Sequence, residues 1–177
     1  CRESGRQPGN PGAGNQQVAM GEAVGVAIRI LFRRCNTKAG RTAAELATRS
    51  FIDGYLDQNP LNGIAANGVK ALRGFNRWLH AKGRSDPAMT AAATTFTALV
   101  LRGREAVVLH VGDSRAWHYR DGVLTCLTED HTRAVQGFSN VLYRAVGIEA
   151  DVKLDVGREL TRGLGAGANP EVGRQAA

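Results

Sequence analysis

The stretch Val108–Thr132 reads VLHVGDSRAWHYRDGVLTCLTEDHT. Within it, Gly112-Asp113-Ser114-Arg115 places a carboxylate, a hydroxyl and a guanidinium side by side between apolar runs. Taken alone, the four residues read as a β-bulge or strand crossing in which Asp113 pairs with backbone donors or with Arg115. Ser114 has no base or nucleophile-elbow pattern beside it, which argues against a serine hydrolase. His80, His110, His118 and His131 are too dispersed to form a metal set by spacing. His110 and His118 flank Asp113, but strand alternation breaks between them and does not assign them to one face. Cys1, Cys35 and Cys126 lack metal-ligand spacing, and their odd count argues against a disulfide framework. A reducing cytoplasm is therefore the expected setting.

The elements that must position Asp113 follow from periodicity. Val24–Ile28 suits a short buried strand, whereas Arg29–Lys38 mixes Arg with bulky apolar residues and fits neither period. Residues 39–57 predict a helix with a stripe of Ala43, Ala47, Phe51 and Tyr55, ended by Asn59-Pro60. A second helix is predicted over 61–83. Its buried stripe is Ile64, Gly68, Leu72, Phe75 and Leu79, with Lys70, Arg73 and Arg77 facing away and Gly83 as the cap. From residue 93 the pattern becomes strand-like: ATTFTALVLRG and REAVVLHVG join at Arg102-Gly103-Arg104. RAWHYR and VLTCLT flank Asp121-Gly122, a strong hairpin signal. VLYRAVG (141–147) reads as a helical turn or loop, and the alternation in DVKLDV (151–156) predicts a strand.

Composition bounds the class. A chain of 177 residues with 43% hydrophobic residues fits one soluble globular domain, and no apolar run is long enough to cross a bilayer. It begins at Cys1 rather than Met, which points to a cut or an incomplete reading frame. The net charge is +7, but the basic residues, mostly Arg, are scattered without a basic block or interleaved aromatics. That pattern argues for a solvated surface and against nucleic-acid binding. The Gly- and Pro-rich residues 1–14 are expected to be disordered, as is the Gly/Ala-rich tail 157–177; the folded domain is expected over 15–156.

The ordered set is more specific than any member. Thr94-Thr95, then Gly112-Asp113-Ser114-Arg115, then LTEDHT and LYRAVG resembles the metal-dependent protein serine/threonine phosphatases of type 2C, the PPM class. With AGRTAAELATRSF and FNRWLHAKG, the chain looks like the phosphatase half of bacterial proteins that fuse this domain to a protein kinase. The resemblance covers residues 15–156 and is strongest over 90–147. It implies an α+β fold, here a fragment of the type 2C phosphatase α-β-β-α sandwich: two antiparallel sheets face to face with a helix pair on each outer side. It implies Mn²⁺ or Mg²⁺ as cofactor, two such ions activating a water against phosphoserine or phosphothreonine in partner proteins. No membrane partner is implied.

Against that pattern, this sequence lacks most of the implied metal ligands. Where the family reads an acidic Asn-Glu/Gln-Asp near its start, the chain has Asn15-Gln16-Gln17, and the neutral Gln17 brings no charge. Where the family has Ala-Asp-Gly after its second strand, no acid lies between Glu22 and Glu45, and Arg29, Arg33 and Arg34 would repel divalent ions. The later Asp-Gly and Asp-Asn motifs have no counterpart after Asp151. Asp113 is the one metal-binding residue kept; in bacterial relatives this Asp helps hold a third, weaker ion. The codons of Arg29–Arg34, read in a shifted frame, can spell an Asp. That points to a frame slip repaired before Cys35, with a second after Val156. The chain as written is expected to be inactive as a phosphatase, the alternatives being a pseudophosphatase or protein-binding remnant and, more distantly, a basic nucleic-acid-binding module. An incomplete second sheet is expected to leave one face of the first uncovered.

Overall fold

The computed structural model describes residues 26–31, 38–135 and 138–160. The segment 1–14, Gln17, residues 32–37 and residues 161–177 lie outside the described residues, so the expectations placed on them are not revisited.

Helix α1 spans Lys38–Leu56 and helix α2 spans Ile64–Ser85. Both bury the predicted stripes: Ala43, Ala47, Phe51 and Tyr55 on α1, and Ile64, Gly68, Leu72, Phe75 and Leu79 on α2. The small residues on α1 let the two helices approach closely, with Gly54 against Ala71. Thr48, buried on α1, donates its hydroxyl to the Ala44 carbonyl at 3.1 Å, which satisfies a polar group the core cannot hydrate. A single 3-10 turn, Pro60–Asn62, joins the helices, and Asn67 Nδ2 ties it down by donating to the Asn59 carbonyl at 3.0 Å.

The helices pack on one face of a four-stranded antiparallel sheet. Its strands are β1 (Val26–Leu31), β2 (Phe96–Arg102), β3 (Glu105–Val111) and β8 (Asp155–Leu160), in the order β1-β2-β3-β8. Register sorts the side chains by the two-residue period of a strand. Ile28 opposite Val100, Ile30 opposite Ala98, and Phe96 opposite Val111 all point to the helices and are buried there. Gly68 lets α2 ride directly on β3, because a Cβ there would fall 2.3 Å from Leu109 Cδ1. Two hairpins complete the described fold: β4 (Trp117–Arg120) with β5 (Val123–Cys126), and β6 (Thr132–Val135) with β7 (Phe138–Leu142). Asp121 (φ 50°) and Gly122 (φ 81°) form the predicted two-residue turn of the first. Among the described residues, no helix is long and apolar enough to cross a membrane.

Four local expectations are corrected. Arg29–Leu31, which fitted neither period, continues β1 in register with β2. Gly83 does not end α2. The helix runs to Ser85 and is capped at Asp86, whose N–H donates to the Lys82 carbonyl and whose carboxylate accepts from Ala88 N–H. Of the two readings of VLYRAVG, loop holds over 143–145 and no helical turn forms: Val141 and Leu142 close β7, and Val146 makes a bridge to Thr94. The alternation in 151–156 belongs mainly to a loop whose Val152 and Leu154 anchor into the core. Strand β8 starts at Asp155, where pairing with His110 begins, and runs to Leu160, past the boundary expected at 156.

The central part of the sheet's second face is also covered. Leu99, Ala106 and Val108 are buried with Ala116, and Leu101 and Leu127 pack against them. The chain leaving β3 folds back over this face, held by Leu127 N–H donating to the Ala116 carbonyl at 2.8 Å. Apolar exposure falls instead on the β4–β5 hairpin, at Tyr119, Val123 and Leu124.

Candidate functional site

The ends of β1, β2, β3 and β8 meet at one edge of the sheet: Leu31 pairs with Thr97, Phe96 with Val111, and His110 with Asp155. Gly112 and Asp113 leave the sheet there. Gly112 has φ +119°, and a Cβ on it would lie 2.5 Å from both Cβ and Cγ2 of Thr95, so only glycine fits. Ser114 Oγ lies 3.2 Å from Thr95 Oγ1, which ties the turn to the start of β2.

Two buried histidines clamp the Gly112 backbone from either side. Gly112 N–H donates to His131 Nδ1 at 3.0 Å, so that nitrogen is an acceptor and the proton sits on Nε2. Nε2–H then donates to Asp155 Oδ2 at 2.8 Å. Arg144 Nη1 comes within 3.1 Å of the same Nε2, but two donors cannot bond; its real acceptor is Asp155 Oδ1 at 3.2 Å. On the other side, the His110 ring faces two carbonyls with Nε2, Gly112 O at 3.1 Å and Glu129 O at 3.0 Å, so Nε2 carries the proton. His110 Nδ1 accepts from the Thr97 hydroxyl at 2.8 Å. The Gly112 carbonyl also takes the His131 backbone N–H at 2.7 Å. Burial first, and then the neighbouring His131, pushes the His110 imidazole below its ordinary range, which fits this neutral tautomer.

The guanidinium of Arg115 turns to Asp130, not to Asp113. Nε reaches Oδ1 at 3.0 Å and Nη2 reaches Oδ2 at 2.6 Å, a bidentate pair. These hydrogen bonds hold the Asp130 carboxyl below the usual range and raise Arg115. The charge of Asp113 adds a smaller contribution that also raises Arg115. The Asp113 side chain is half-buried, with Oδ1 shielded from solvent.

These residues do not fit a tightly held pair of Mn²⁺ or Mg²⁺ ions, which need several carboxylate oxygens converging. Asp130 is committed to Arg115, Asp155 to His131 and Arg144, and both histidines have spent their ring nitrogens. Among the described residues, no group of three or more His, Cys, Asp or Glu side chains could hold a metal ion. The roles of His110 and His131 escaped the sequence reading, since His110 meets His131 and not His118. The signal was there in LTEDHT, whose His131 lies on the segment that closes back over Gly112.

The protein phosphatase 2C family profile matches residues 36–147, well over half of the chain. The chain belongs to the protein phosphatase 2C family. Among the relatives, the serine/threonine protein phosphatase PstP of Mycobacterium tuberculosis is 32% identical over 96 residues, covering 52% of this chain and 19% of that protein. The crystal structure of the PstP catalytic domain in complex with two manganese ions superposes with a TM-score of 0.57 at 24% identity, over 75% of this chain and 61% of that one. The serine/threonine phosphatase stp of Listeria monocytogenes is 26% identical over 138 residues, 67% of this chain and 54% of the relative. The solved serine/threonine phosphatase of S. agalactiae gives a TM-score of 0.68 at 24% identity, covering 79% of this chain and 65% of that one. The chain thus spans about half, or less, of the length of these curated relatives. What it shares with the solved phosphatase structures is the α+β fold, with an antiparallel sheet and a helix pair.

Proposed function

We propose that this chain is a serine/threonine phosphatase-like domain that does not itself hydrolyse phosphoproteins. One observation carries the reading. At the sheet edge where charge is needed, no group of three or more His, Cys, Asp or Glu side chains converges among the described residues. Asp130 is neutralised by Arg115, and Asp155 is engaged by His131 and Arg144. Two doubly charged ions repel each other strongly and stay together only where several anionic oxygens offset that repulsion. The sequence supports the same conclusion upstream, with the neutral Gln17 and no acid from residue 23 to residue 44. Asp113 is then a weak single-carboxylate contact for Mn²⁺ or Mg²⁺, and its turn is a structural relic of the family site. The domain extends from residue 15 to the end of β8 at Leu160 in this reading, binds phosphoserine or phosphothreonine proteins without turnover, and accompanies a protein kinase domain in a cytoplasmic setting. The scattered basic residues speak against nucleic acid as the partner.

The test uses the purified chain with Mn²⁺ or Mg²⁺ in millimolar excess, p-nitrophenyl phosphate and a phosphothreonine peptide. Hydrolysis at the buffer rate, and a calorimetric Mn²⁺ titration without a tight site, are expected. Turnover that a chelator abolishes and Asp113→Asn reduces would overturn the reading.

A further inference from the structure

Helix α2 carries five basic residues, Lys70, Arg73, Arg77, Lys82 and Arg84, and not one acidic residue. Lys82 is paired with Asp86 at 3.0 Å. Lys70, Arg73 and Arg77 instead line an open groove of about 460 Å³ between α2 and the edge strand β8. Its apolar floor is Ala65, Ala66, Val69 and Val156. Asp151 Oδ1 lies 3.8 Å from Arg73 Nε; both side chains are exposed, so the pair is weak and easily displaced.

We propose that this groove docks an acidic segment of a partner protein. An apolar side chain of that segment seats on the floor, and carboxylates on either side of it meet Lys70, Arg73 and Arg77. The spacing suits an extended peptide. The seven steps of helical rise from Lys70 to Arg77 span about 10 Å, a length covered by about three residues of extended chain. A single-stranded nucleic acid fits less well, because stacking platforms for bases are absent from the groove lining; Trp78 packs its ring near Phe75 and is not among the lining residues. The proposal is independent of whether the Asp113 edge turns over phosphoesters, since the groove lies on the helix face of the sheet.

The experiment is fluorescence anisotropy of the full chain with a labelled peptide in which a leucine is flanked by glutamates. The comparison ligands are the same peptide with lysines in place of the glutamates, and a single-stranded oligonucleotide of equal charge. Binding of the acidic peptide is expected to weaken as salt rises above about 0.1 M. Arg73→Glu with Arg77→Glu is expected to weaken it about ten-fold or more, and Asp151→Asn to tighten it about two-fold by releasing Arg73. All three side chains are solvent-exposed, and the neutral pair Arg73→Gln with Arg77→Gln, checked by circular dichroism, gives an intermediate loss without charge reversal. Equal binding of the lysine peptide, an unchanged affinity in the charge-reversed variant, or tighter binding of the oligonucleotide lost in that same variant would each overturn the proposal.

Discussion

Substituting Gly112 isolates what the sheet edge demands of the chain. Gly112→Ala meets two separate costs. At φ +119° an L side chain is strained, at a cost of about 1–3 kcal/mol. The new Cβ would also lie 2.5 Å from Thr95 Cβ and Cγ2 and 3.1 Å from Thr95 Cα, well inside ordinary contact. Thr95 cannot swing aside: it is 2% exposed, and the neighbouring Thr94 is bridged to Val146 in both directions. Overpacking against such a site costs about 1–3 kcal/mol more, for a total of about 2–6 kcal/mol. Gly103→Ala is the control. Its φ is also positive, at +60°, but nothing lies within 4 Å, so only about 1 kcal/mol is expected. Urea unfolding of both variants beside the parent reads the difference directly, provided the m-value is unchanged. Thr95→Gly removes the two nearest atoms, so combining it with Gly112→Ala is expected to cost less than the sum of the singles. Equal midpoints for the Gly112 and Gly103 variants would refute the steric argument, and strict additivity with Thr95→Gly would refute the assigned contact.

Acid is expected to destabilise the fold in two steps. His110 titrates below its ordinary range when folded, so as pH falls below about 6.5 the unfolded chain takes up a proton that the folded chain refuses, and stability drops. Asp130, held low by Arg115, contributes stability that is present above about pH 4 and is lost below it. Denaturant melts from pH 8 to pH 3.5 measure both steps; His110→Gln should flatten the first, and a stability that rises between pH 6.5 and 5 contradicts the buried neutral imidazole. Asp130→Asn keeps the shape but removes the charge opposite Arg115. Because that pair is about a third exposed, a loss of only about 1 kcal/mol is expected, and a double-mutant cycle with Arg115→Gln that shows no coupling contradicts the bidentate pairing.

Local information sufficed where one element could sort its own residues. The four-residue recurrence of Ala43, Ala47, Phe51 and Tyr55 specifies which side of α1 is buried whatever it packs against. Asp121-Gly122 specifies a hairpin because the positive φ values needed are local to those two residues. The ordered motifs around Gly112-Asp113-Ser114-Arg115 were enough to place the chain in its family, and the acids missing from residues 23–44 could be read directly. Other features depend on a partner distant in the chain. Strand β8 begins at Asp155 and not Asp151 because β3 offers its pairing groups from His110 onward. Arg115 chose Asp130 over the adjacent Asp113 because the returning LTEDHT segment brought a carboxylate into bidentate reach. His110 and His131 became a clamp on the two peptide groups flanking Gly112, their tautomers set by a carbonyl pair and a backbone N–H that only the closed sheet edge assembles. Periodicity and turn chemistry are short-range properties of covalent sequence. The register between strands and the partners of a buried polar group are set by which distant atoms the packed core brings within hydrogen-bonding distance, and tertiary structure alone decides those.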